Sequence, residues 1–415
     1  MVLLNILIAV NLLVGAAFVL CYSHQIFYIV FAFIKKPYRY RDTEKRHRYA
    51  FMISARNEDD VIGELCDSIR AQNYPRELID IYVVADNCTD STARVAREKG
   101  AVVYERNDLD KVGKGYALEY LFESVRRDGG WDRYEGYFVI DADNLLHPDF
   151  TLEMNKAVDE GRRIIVSYRN SKNYGENWIS AGNSLWFLRA SRHLNCPRHL
   201  LGVSCEVQGT GFFVHRDIIE RQGGWIHHLL IEDIEFTVDN VLQGEKVAYC
   251  HDAVIYDEQV SGFKQSWWQR KRWTRGYFQV LRRYGWRLLK GFLGGKGFSN
   301  FDMLMAITPA VMLSIISMSA NLLLLVLSIF ISPESVPIIL AGIGLTILCV
   351  YLFFFAVGAV SAISERKKVD VSAGKKVLYM FTFPLFMYTY LPIVVSALVA
   401  HRVEWKQIKH HAKNS

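Results

Sequence analysis

Two pairs of carboxylates in this chain have the types and spacing to do chemistry. Asp141 and Asp143 occupy alternate positions directly after an apolar run. Since Mg²⁺ and Mn²⁺ prefer a few carboxylate oxygens together with phosphate oxygens, this pair could hold a diphosphate through a divalent cation. Glu232 and Asp233 lie inside another apolar stretch, where burial suits a general base acting on a hydroxyl. The alternatives are a solvated strand end or helix cap for the first pair and an acidic first helical turn for the second.

A basic aromatic cluster, Gln269-Arg-Lys-Arg272-Trp273, follows these carboxylates in the sequence. Helical spacing places Gln269, Arg272 and Trp273 on one face. Arginine can hold diphosphate oxygens in a bidentate manner, and tryptophan offers a flat surface on which a sugar can stack. The alternative is a basic aromatic helix at a membrane surface, and both interpretations hold together. Further residues of this segment are assigned to that surface: Trp267, Trp268, Arg270, Lys271, Tyr277 and Trp286.

Two more residues could contact a nucleotide. Asp86 ends an apolar run just before Thr89 and Asp90, either of which could cap the next helix. The Asp86 carboxylate could therefore accept hydrogen bonds from a base or a ribose. Lys114 stands between two glycines, where it could bind a phosphate or simply begin a solvated helix.

These residues fall at the ends of elements that alternate along the chain. Strands are predicted at 49–54, 79–85, 101–104 and 136–140, and helices at about 61–69, 91–99 and 114–127. This alternation indicates a doubly wound α/β domain with a parallel sheet. Ligands of such sheets bind outside the carboxyl ends of the strands, where the polar clusters at 55–58, 86–90 and 141–143 lie. We therefore expect these clusters to form a nucleotide site.

The apolar residues of the 415-residue chain are concentrated in four stretches without Asp, Glu, Lys or Arg. These stretches are residues 1–34, 303–333, 335–364 and 377–400. Each exceeds the roughly 20 residues that a helix needs to cross a bilayer. The first lacks the basic start and the cleavage site of a signal peptide, so it is predicted to be a retained anchor.

Positive charges predict the orientation in the membrane. Lysines and arginines follow the first apolar stretch and recur at 366–368, so the positive-inside rule places the middle of the chain in the cytosol. Four crossings would leave the basic tail, 401–415, on the opposite side. Either the 303–333 stretch crosses differently, or Pro384 and Pro392 mark a last segment that is not a simple span.

Composition argues against two classes of function. The seven cysteines show no paired spacing with one another or with histidine, which fits reduced thiols and disfavours a cysteine metal site. The net charge of +6 is mild and arises partly from residues that flank the apolar stretches. Because no basic face with interleaved aromatics and no known reader motif is present, nucleic acid is not expected as a partner.

Taken in order, these motifs resemble those of the membrane-integrated, processive family-2 inverting glycosyltransferases: the cellulose, hyaluronan, chitin-oligosaccharide and poly-N-acetylglucosamine synthases. The resemblance covers about residues 48–290 and the flanking apolar segments. It implies that the nucleotide sugar is contacted by Ala55, Arg56, Glu58, Asp86, Lys114, Asp141, Asp143 and Arg272, with the metal on Asp143. It further implies that Gly209, Thr210, Gly211, Gln269 and Trp273 bind the acceptor, and that Asp233, beside Glu232, is the catalytic base.

The resemblance also implies an architecture. A GT-A-type domain with a mostly parallel mixed sheet is expected over 48–262, interfacial amphipathic helices over 263–300, and about three transmembrane helices over 301–400. The chain shows no match to a C-terminal regulatory domain or to the gating loop of cellulose synthases. Cellulose is therefore less expected than the product of a chitin-oligosaccharide, poly-N-acetylglucosamine or capsular polysaccharide synthase.

The implied activity is transfer from a UDP-sugar, with Mg²⁺ or Mn²⁺, to the end of a growing β-linked glycan. In that case the glycan would leave through a channel of the same chain in the plasma membrane, with the catalytic domain in the cytosol. One alternative is the addition of a single sugar to a lipid, as in glucosylceramide synthases. A transporter or scaffold with a degenerate domain is a further alternative, against which the intact motifs argue.

Overall fold

A single eight-stranded sheet lies at the centre of the computed structural model, which describes residues 2–308 and 310–400. Its strands are β1 (Tyr49–Ala55), β2 (Ile79–Asp86), β3 (Val102–Arg106), β4 (Gly136–Asp141), β5 (Leu145–Leu146), β6 (Ile164–Ser171), β7 (Phe212–His215) and β8 (Val247–Asp257). They are ordered β3-β2-β1-β4-β7-β6-β8-β5. The half from β3 to β4 is parallel, whereas β7 runs antiparallel to both β4 and β6. The sheet is therefore mixed, as expected for a GT-A domain.

Helices cover both faces of this sheet. The helices are α1 (Val2–Ile34), α2 (Ile62–Arg70), α3 (Thr92–Glu98), α4 (Lys114–Arg127), α5 (Phe150–Asp159), α6 (Trp178–Arg189), α7 (Cys196–Leu200), α8 (Arg216–Gln222), α9 (Glu232–Leu242), α10 (Phe263–Leu293), α11 (Phe298–Ile307), α12 (Val311–Ile331), α13 (Val336–Ser364), α14 (Ala373–Tyr388) and α15 (Tyr390–Val399). One apolar core lies between the sheet and α2 and α5, and a second includes α4 and α6. Because both faces are covered, β1 and β4 are continuous apolar runs rather than alternating ones.

Among the described residues, four helices are long and apolar enough to cross a membrane: Asn5–Ile34, Val311–Ile331, Pro333–Ser364 and Ala373–Val399. They correspond to the four stretches predicted from the sequence. The first C-terminal stretch was predicted as one unit over 303–333, whereas the structure divides it between the short α11 and the longer α12.

The last candidate span is broken at Thr389, between α14 and α15. Pro392 lacks the N–H that would bond to the carbonyl of Tyr388 in a continuous helix, which favours a break at this point. Pro384, by contrast, lies inside α14 without ending it. The last segment is therefore irregular near Pro392, and how it crosses the bilayer stays a prediction. The basic tail, 401–415, lies outside the described residues.

Between the sheet domain and α12, the predicted interfacial segment 263–300 is dominated by α10, a single helix of 31 residues without an acidic side chain. Four residues, 294–297, separate α10, which ends at Leu293, from α11, which begins at Phe298. The loop after α13 returns to the sheet domain, where Tyr168 donates a hydrogen bond to Glu365 at 2.6 Å. That loop therefore packs against the sheet domain, and its cytosolic position stays a prediction.

Candidate active site

The loops after β1 and β2 lie together at the carboxyl edge of the sheet. Asn57 and Asn87 have positive φ angles of 56° and 52°, so each turns the chain sharply at the end of its strand. The Asn57 Oδ1 accepts a hydrogen bond of 2.7 Å from the Thr89 N–H, which joins the two loops. The first nucleotide cluster, 55–58, therefore borders the loop that follows Asp86.

Asp86, at the end of β2, is 4% exposed and forms an ion pair of 2.5 Å with the Arg106 guanidinium. Burial raises the pKa of Asp86, and the Arg106 charge opposes that rise. One of its oxygens is therefore already held by Arg106. A nucleotide would meet a carboxylate that is fixed in orientation.

The Asp141–Asp143 segment is held by a bridging amide that the sequence argument did not single out. The Asn144 Nδ2 donates to Asp143 Oδ1 at 3.0 Å and to Asp257 Oδ1 at 2.9 Å. The Thr210 hydroxyl donates to Asn144 Oδ1 at 2.6 Å and accepts from the Asp141 N–H at 2.9 Å. Thr210 therefore supports the carboxylate segment from behind.

Asp257 and Arg169 are further residues of the site that the sequence analysis missed. Asp257 ends β8 and forms an ion pair with Arg169, whose Nη1 donates to the Gln208 carbonyl at 2.6 Å. Both residues line the cavity described below. A carboxylate at the end of an apolar strand is the signal that identified Asp86 and Asp141, and the same signal would have found Asp257.

Lys114 stands at the start of α4, between the two carboxylate pairs. Its ammonium contacts Asp141, donates to the Gly209 carbonyl at 2.6 Å and lies 3.8 Å from Glu232 Oε1. Burial opposes the charge on Lys114, but Asp141, Glu232 and Asp233 outweigh it and raise the pKa of Lys114. The side chain therefore remains a cation at the centre of an acidic site.

The predicted catalytic base, Asp233, and its neighbour Glu232 lie in the first turn of α9. Burial is the largest cause that raises the pKa of Glu232 to about 7, with Lys114 opposing it and Asp233 adding to it. Burial likewise raises the pKa of Asp233, against Lys114 and the N–H groups of Ile234 and Gly209. The alternative interpretation, an acidic first turn of a helix, is thus also true. A carboxylate at the start of a helix can still act as a general base.

The helix α10 passes directly over this turn. Gly276 permits the close approach, since a Cβ at this position would lie 2.7 Å from Ile231 Cγ2. Gln269, Arg272 and Trp273 all face the cavity, and Arg272 donates to the Leu230 carbonyl at 3.2 Å. Helical spacing therefore predicted their common face correctly.

Arg270 does not lie at a membrane surface as expected. It is fully buried, and its guanidinium donates to Thr389 Oγ1 at 2.6 Å and to the Phe386 carbonyl at 3.3 Å. The rings of Phe386 and Tyr390 lie 4.3 and 4.9 Å from it. Arg270 thus links α10 to the break between α14 and α15.

Tyr277, also assigned to the surface, lines the cavity instead, whereas Trp286 is 65% exposed.

One cavity of about 1670 Å³ joins these groups to the apolar helices. Its lining includes these predicted site residues: Ala55, Arg56, Glu58, Asp86, Lys114, Asp141, Asp143, Gly209, Glu232, Asp233, Gln269, Arg272 and Trp273. Gly211 packs behind the wall, where a Cβ would meet the Ser167 hydroxyl at 2.4 Å. From the site, the cavity continues between α1, α12, α13 and α15. The sheet domain and the apolar helices therefore share one chamber.

A divalent cation fits the donor set at one end of this chamber. Asp141 and Asp143 offer the hard carboxylate oxygens that Mg²⁺ and Mn²⁺ prefer. Within residues 2–308 and 310–400, no group of three or more His, Cys, Asp or Glu side chains could hold a metal. The remaining ligands would therefore be phosphate oxygens of a substrate and water, as is usual for Mg²⁺.

The fold is that of a glycosyltransferase, and comparison with known proteins agrees. The family described as Glycosyltransferase like family 2 matches residues 47–276. The chain belongs to this family, is a glycosyltransferase, and has a GT-A fold.

Relatives and a solved structure extend this result. A β-monoglucosyldiacylglycerol synthase from Nostoc is 26% identical over 268 residues, which cover 62% of this chain and 54% of the relative. The 4,4'-diaponeurosporenoate glycosyltransferase of Staphylococcus aureus is 48% identical over 69 residues, or 17% of each chain. The chain spans about half the length of the first of these relatives. The mannosyltransferase PcManGT of Pyrobaculum calidifontis, solved with GDP-Man and Mn²⁺, superposes with a TM-score of 0.58 at 17% identity, covering 95% of this chain and all of that one.

Proposed function

We propose that this glycosyltransferase transfers one sugar from a UDP-sugar to a hydroxyl group of a membrane lipid, with inversion at the anomeric carbon. The observation that supports this proposal is the single cavity that runs from Asp86 and Asp143 past Asp233 to the apolar helices. A lipid could place its hydroxyl beside the base while its chains stay among those helices. The glucolipid synthase among the relatives points to the same acceptor class.

The wall of the cavity among the apolar helices suits hydrocarbon better than a glycan. It is formed largely by aliphatic and aromatic side chains, including Val14, Phe18, Leu322, Ile343, Phe353 and Val394. The polar side chains Asn11, Ser317 and Asn321 also line it, but they bond to one another at 2.8 to 3.2 Å. A sugar chain needs partners for its many hydroxyl groups, because unpaired polar groups are costly in such surroundings. This favours a lipid over the growing glycan expected from the sequence.

The chemistry follows from the positions of the side chains. Asp233 takes the proton of the acceptor hydroxyl, whose oxygen forms a bond to the anomeric carbon from the face opposite the nucleotide. The bond from that carbon to the phosphate oxygen breaks, and its electron pair leaves with UDP. Lys114 and Arg272 lie in the cavity wall where they can stabilise the departing diphosphate. A divalent cation bound at Asp141 and Asp143 would supply further charge stabilisation for the leaving group.

We also propose that the chain is a multi-pass protein of the plasma membrane with its sheet domain in the cytosol. Support comes from the four candidate spans and from the lysines at positions 35 and 36, which directly follow α1. The basic loop at 366–368 lies on the same side, since its Lys368 carbonyl accepts a hydrogen bond from Asn170 of the sheet domain.

Product analysis tests the acceptor class. The purified full chain in lipid vesicles is incubated with radiolabelled UDP-glucose, UDP-N-acetylglucosamine, UDP-galactose or UDP-glucuronate, and the products are separated by chromatography and sized. The proposal expects a lipid carrying a single sugar with one of these donors. A polymer of many sugars would refute it and would restore the processive synthase that the sequence resemblance implies.

Substitution of the base tests the mechanism. Asp233→Asn is expected to retain UDP binding and to lose transfer by about two to four orders of magnitude, as for removal of a general base. Asp239→Asn is a matched control on the same helix, because Asp239 contacts His227 and Gln243 rather than the cavity. Transfer by Asp233→Asn at the rate of the control would exclude Asp233 as the base.

A further inference from the structure

A further cation of the cavity wall, Arg189, lies between the catalytic groups and the apolar helices. It is at the end of α6, two residues after Phe187, whose ring meets that of Trp273 edge-on at 6.0 Å. The Arg189 guanidinium donates to Gln25 of α1 at 2.7 Å and lies 4.9 Å from the Trp186 ring. Two contacts therefore orient a cation next to the predicted acceptor-binding tryptophan.

The charge of Arg189 is not neutralised by an ion pair within residues 2–308 and 310–400. The nearby carboxylates are taken by Arg198, which bonds to Asp302 at 2.7 Å and lies 3.3 Å from Glu206. The Arg189 Nε is enclosed without a partner, and burial together with the Arg198 charge lowers the pKa of Arg189 to about 10. A half-buried cation without an ion pair is costly, and a bound anion would reduce that cost.

Arg189 contacts α1 at Gln25, which lies within the candidate span Asn5–Ile34. His24, next to Gln25 in α1, bonds to Asp302 of α11 at 3.1 Å, so charged groups of several helices meet here. Charged side chains inside a bilayer gather at its polar boundary or at functional sites. The head group of a lipid whose chains lie among α1, α12 and α13 would reach the same level.

We infer that Arg189 binds an anionic group, a phosphate or a carboxylate, in the head group of the acceptor lipid. This inference rests on the proposed transfer to a lipid, and it narrows the acceptor to anionic lipids that also carry a free hydroxyl. The planar guanidinium, fixed by Gln25 and Trp186, suits either anion because both accept two parallel hydrogen bonds. The hydroxyl of the same lipid then extends toward Asp233.

The test compares three acceptors in vesicles of otherwise neutral lipid, using the purified full chain. Phosphatidylglycerol offers a phosphate and hydroxyls, a hydroxylated fatty acid offers a carboxylate and a hydroxyl, and diacylglycerol offers a hydroxyl alone. The measurement is kcat/KM for sugar incorporation into each lipid. The variants are Arg189→Gln and Arg189→Lys, with Arg282→Gln on the exposed face of α10 as the matched control.

For the unmodified chain, we expect one of the anionic acceptors to exceed diacylglycerol by at least about tenfold in kcat/KM, as for a charge-assisted hydrogen bond. Arg189→Gln should bring this ratio close to one, Arg189→Lys should retain part of it, and Arg282→Gln should leave it unchanged. The preferred anionic acceptor shows whether Arg189 binds a phosphate or a carboxylate.

Two outcomes would overturn the inference while leaving lipid transfer intact: an unmodified chain that does not prefer either anionic lipid, or an Arg189→Gln variant that keeps the preference. Failure of the proposed function is a different result, in which no lipid is labelled and a polymer forms instead. If Arg189→Gln is too unstable to purify, the Arg189→Lys ratio alone decides, because an unchanged preference in both Arg189→Lys and Arg282→Gln would contradict bidentate binding.

Discussion

Replacing Lys114 with methionine should move the pH dependence of transfer, because this cation lies between the carboxylates that carry out the reaction. Its ammonium is 3.8 Å from Glu232 Oε1 and lowers the pKa of both Glu232 and Asp233. A base acts only when ionised, so activity is lost as the pH falls through its pKa. Without Lys114 the two pKa values rise, and the loss should begin at higher pH.

The distance sets the size of the effect. Two unit charges about 4 Å apart attract by about 4 kcal/mol at an effective dielectric constant of about 20, or about 3 pKa units at roughly 1.4 kcal/mol per unit. Opposite charges at this range shift carboxylates by about 1–3 units. The activity of Lys114→Met should therefore be lost at a higher pH than that of the unmodified chain, by about 1–3 pH units. Activity lost at neutral pH should therefore return at alkaline pH.

The assay is kcat/KM for release of the nucleotide against pH, measured in vesicles with a lipid acceptor. Glu232→Gln should shift the pH dependence in the opposite direction, because removing a neighbouring negative charge lowers the pKa of Asp233. The acid limb, where activity falls with falling pH, then moves to lower pH. Lys111→Met is the matched control, an exposed lysine three residues earlier. If Lys114→Met leaves the limb in place, or if it moves in the same direction as Glu232→Gln, the electrostatic argument is wrong.

Three other substitutions test parts of the site. Arg106→Met should leave Asp86 buried without its partner and lower stability by about 3–5 kcal/mol, seen as a fall in apparent melting temperature and partly reversed by UDP. Asn144→Leu should raise the Mn²⁺ concentration for half-maximal transfer by about 10–100-fold, and an unchanged requirement would remove this amide from the metal site. Gly211→Ala should lower the melting temperature more than Gly161→Ala, because both glycines have positive φ but only Gly211 has no space for a Cβ. The crowding should cost about 1–3 kcal/mol of stability. Equal losses in the two variants would contradict the packing argument.

The sheet domain could be predicted well because its determinants are local. Strands buried on both faces appear as short apolar runs, and the helix over 114–127 was placed with its ends correct. The four candidate spans follow from length and the absence of charge alone. The division between α11 and α12 falls between Ile307 and Val311, where the sequence contains Pro309, a break signal that the uncharged character of 303–333 concealed.

The site was predictable where a motif sits at the end of one strand or on one helical face. It was not predictable where partners are distant in sequence. Arg169 and Asp257 are 88 residues apart, and nothing in either segment indicates their pairing. Thr210 was expected at the acceptor, but its hydroxyl bonds to Asn144, a contact across 66 residues that only the folded chain reveals.

The buried contact of Arg270 has a consequence for the timing of synthesis. Its partner Thr389 lies 119 residues further along the chain, so it leaves the ribosome well after α10 has been made. Until α14 and α15 are in place, the guanidinium has neither the hydroxyl nor the rings that hold it. Gln269, Arg272 and Trp273 lie on the same helix and line the cavity together with residues of α15. The wall of the chamber is therefore complete only after the last helices of the chain have packed against α10.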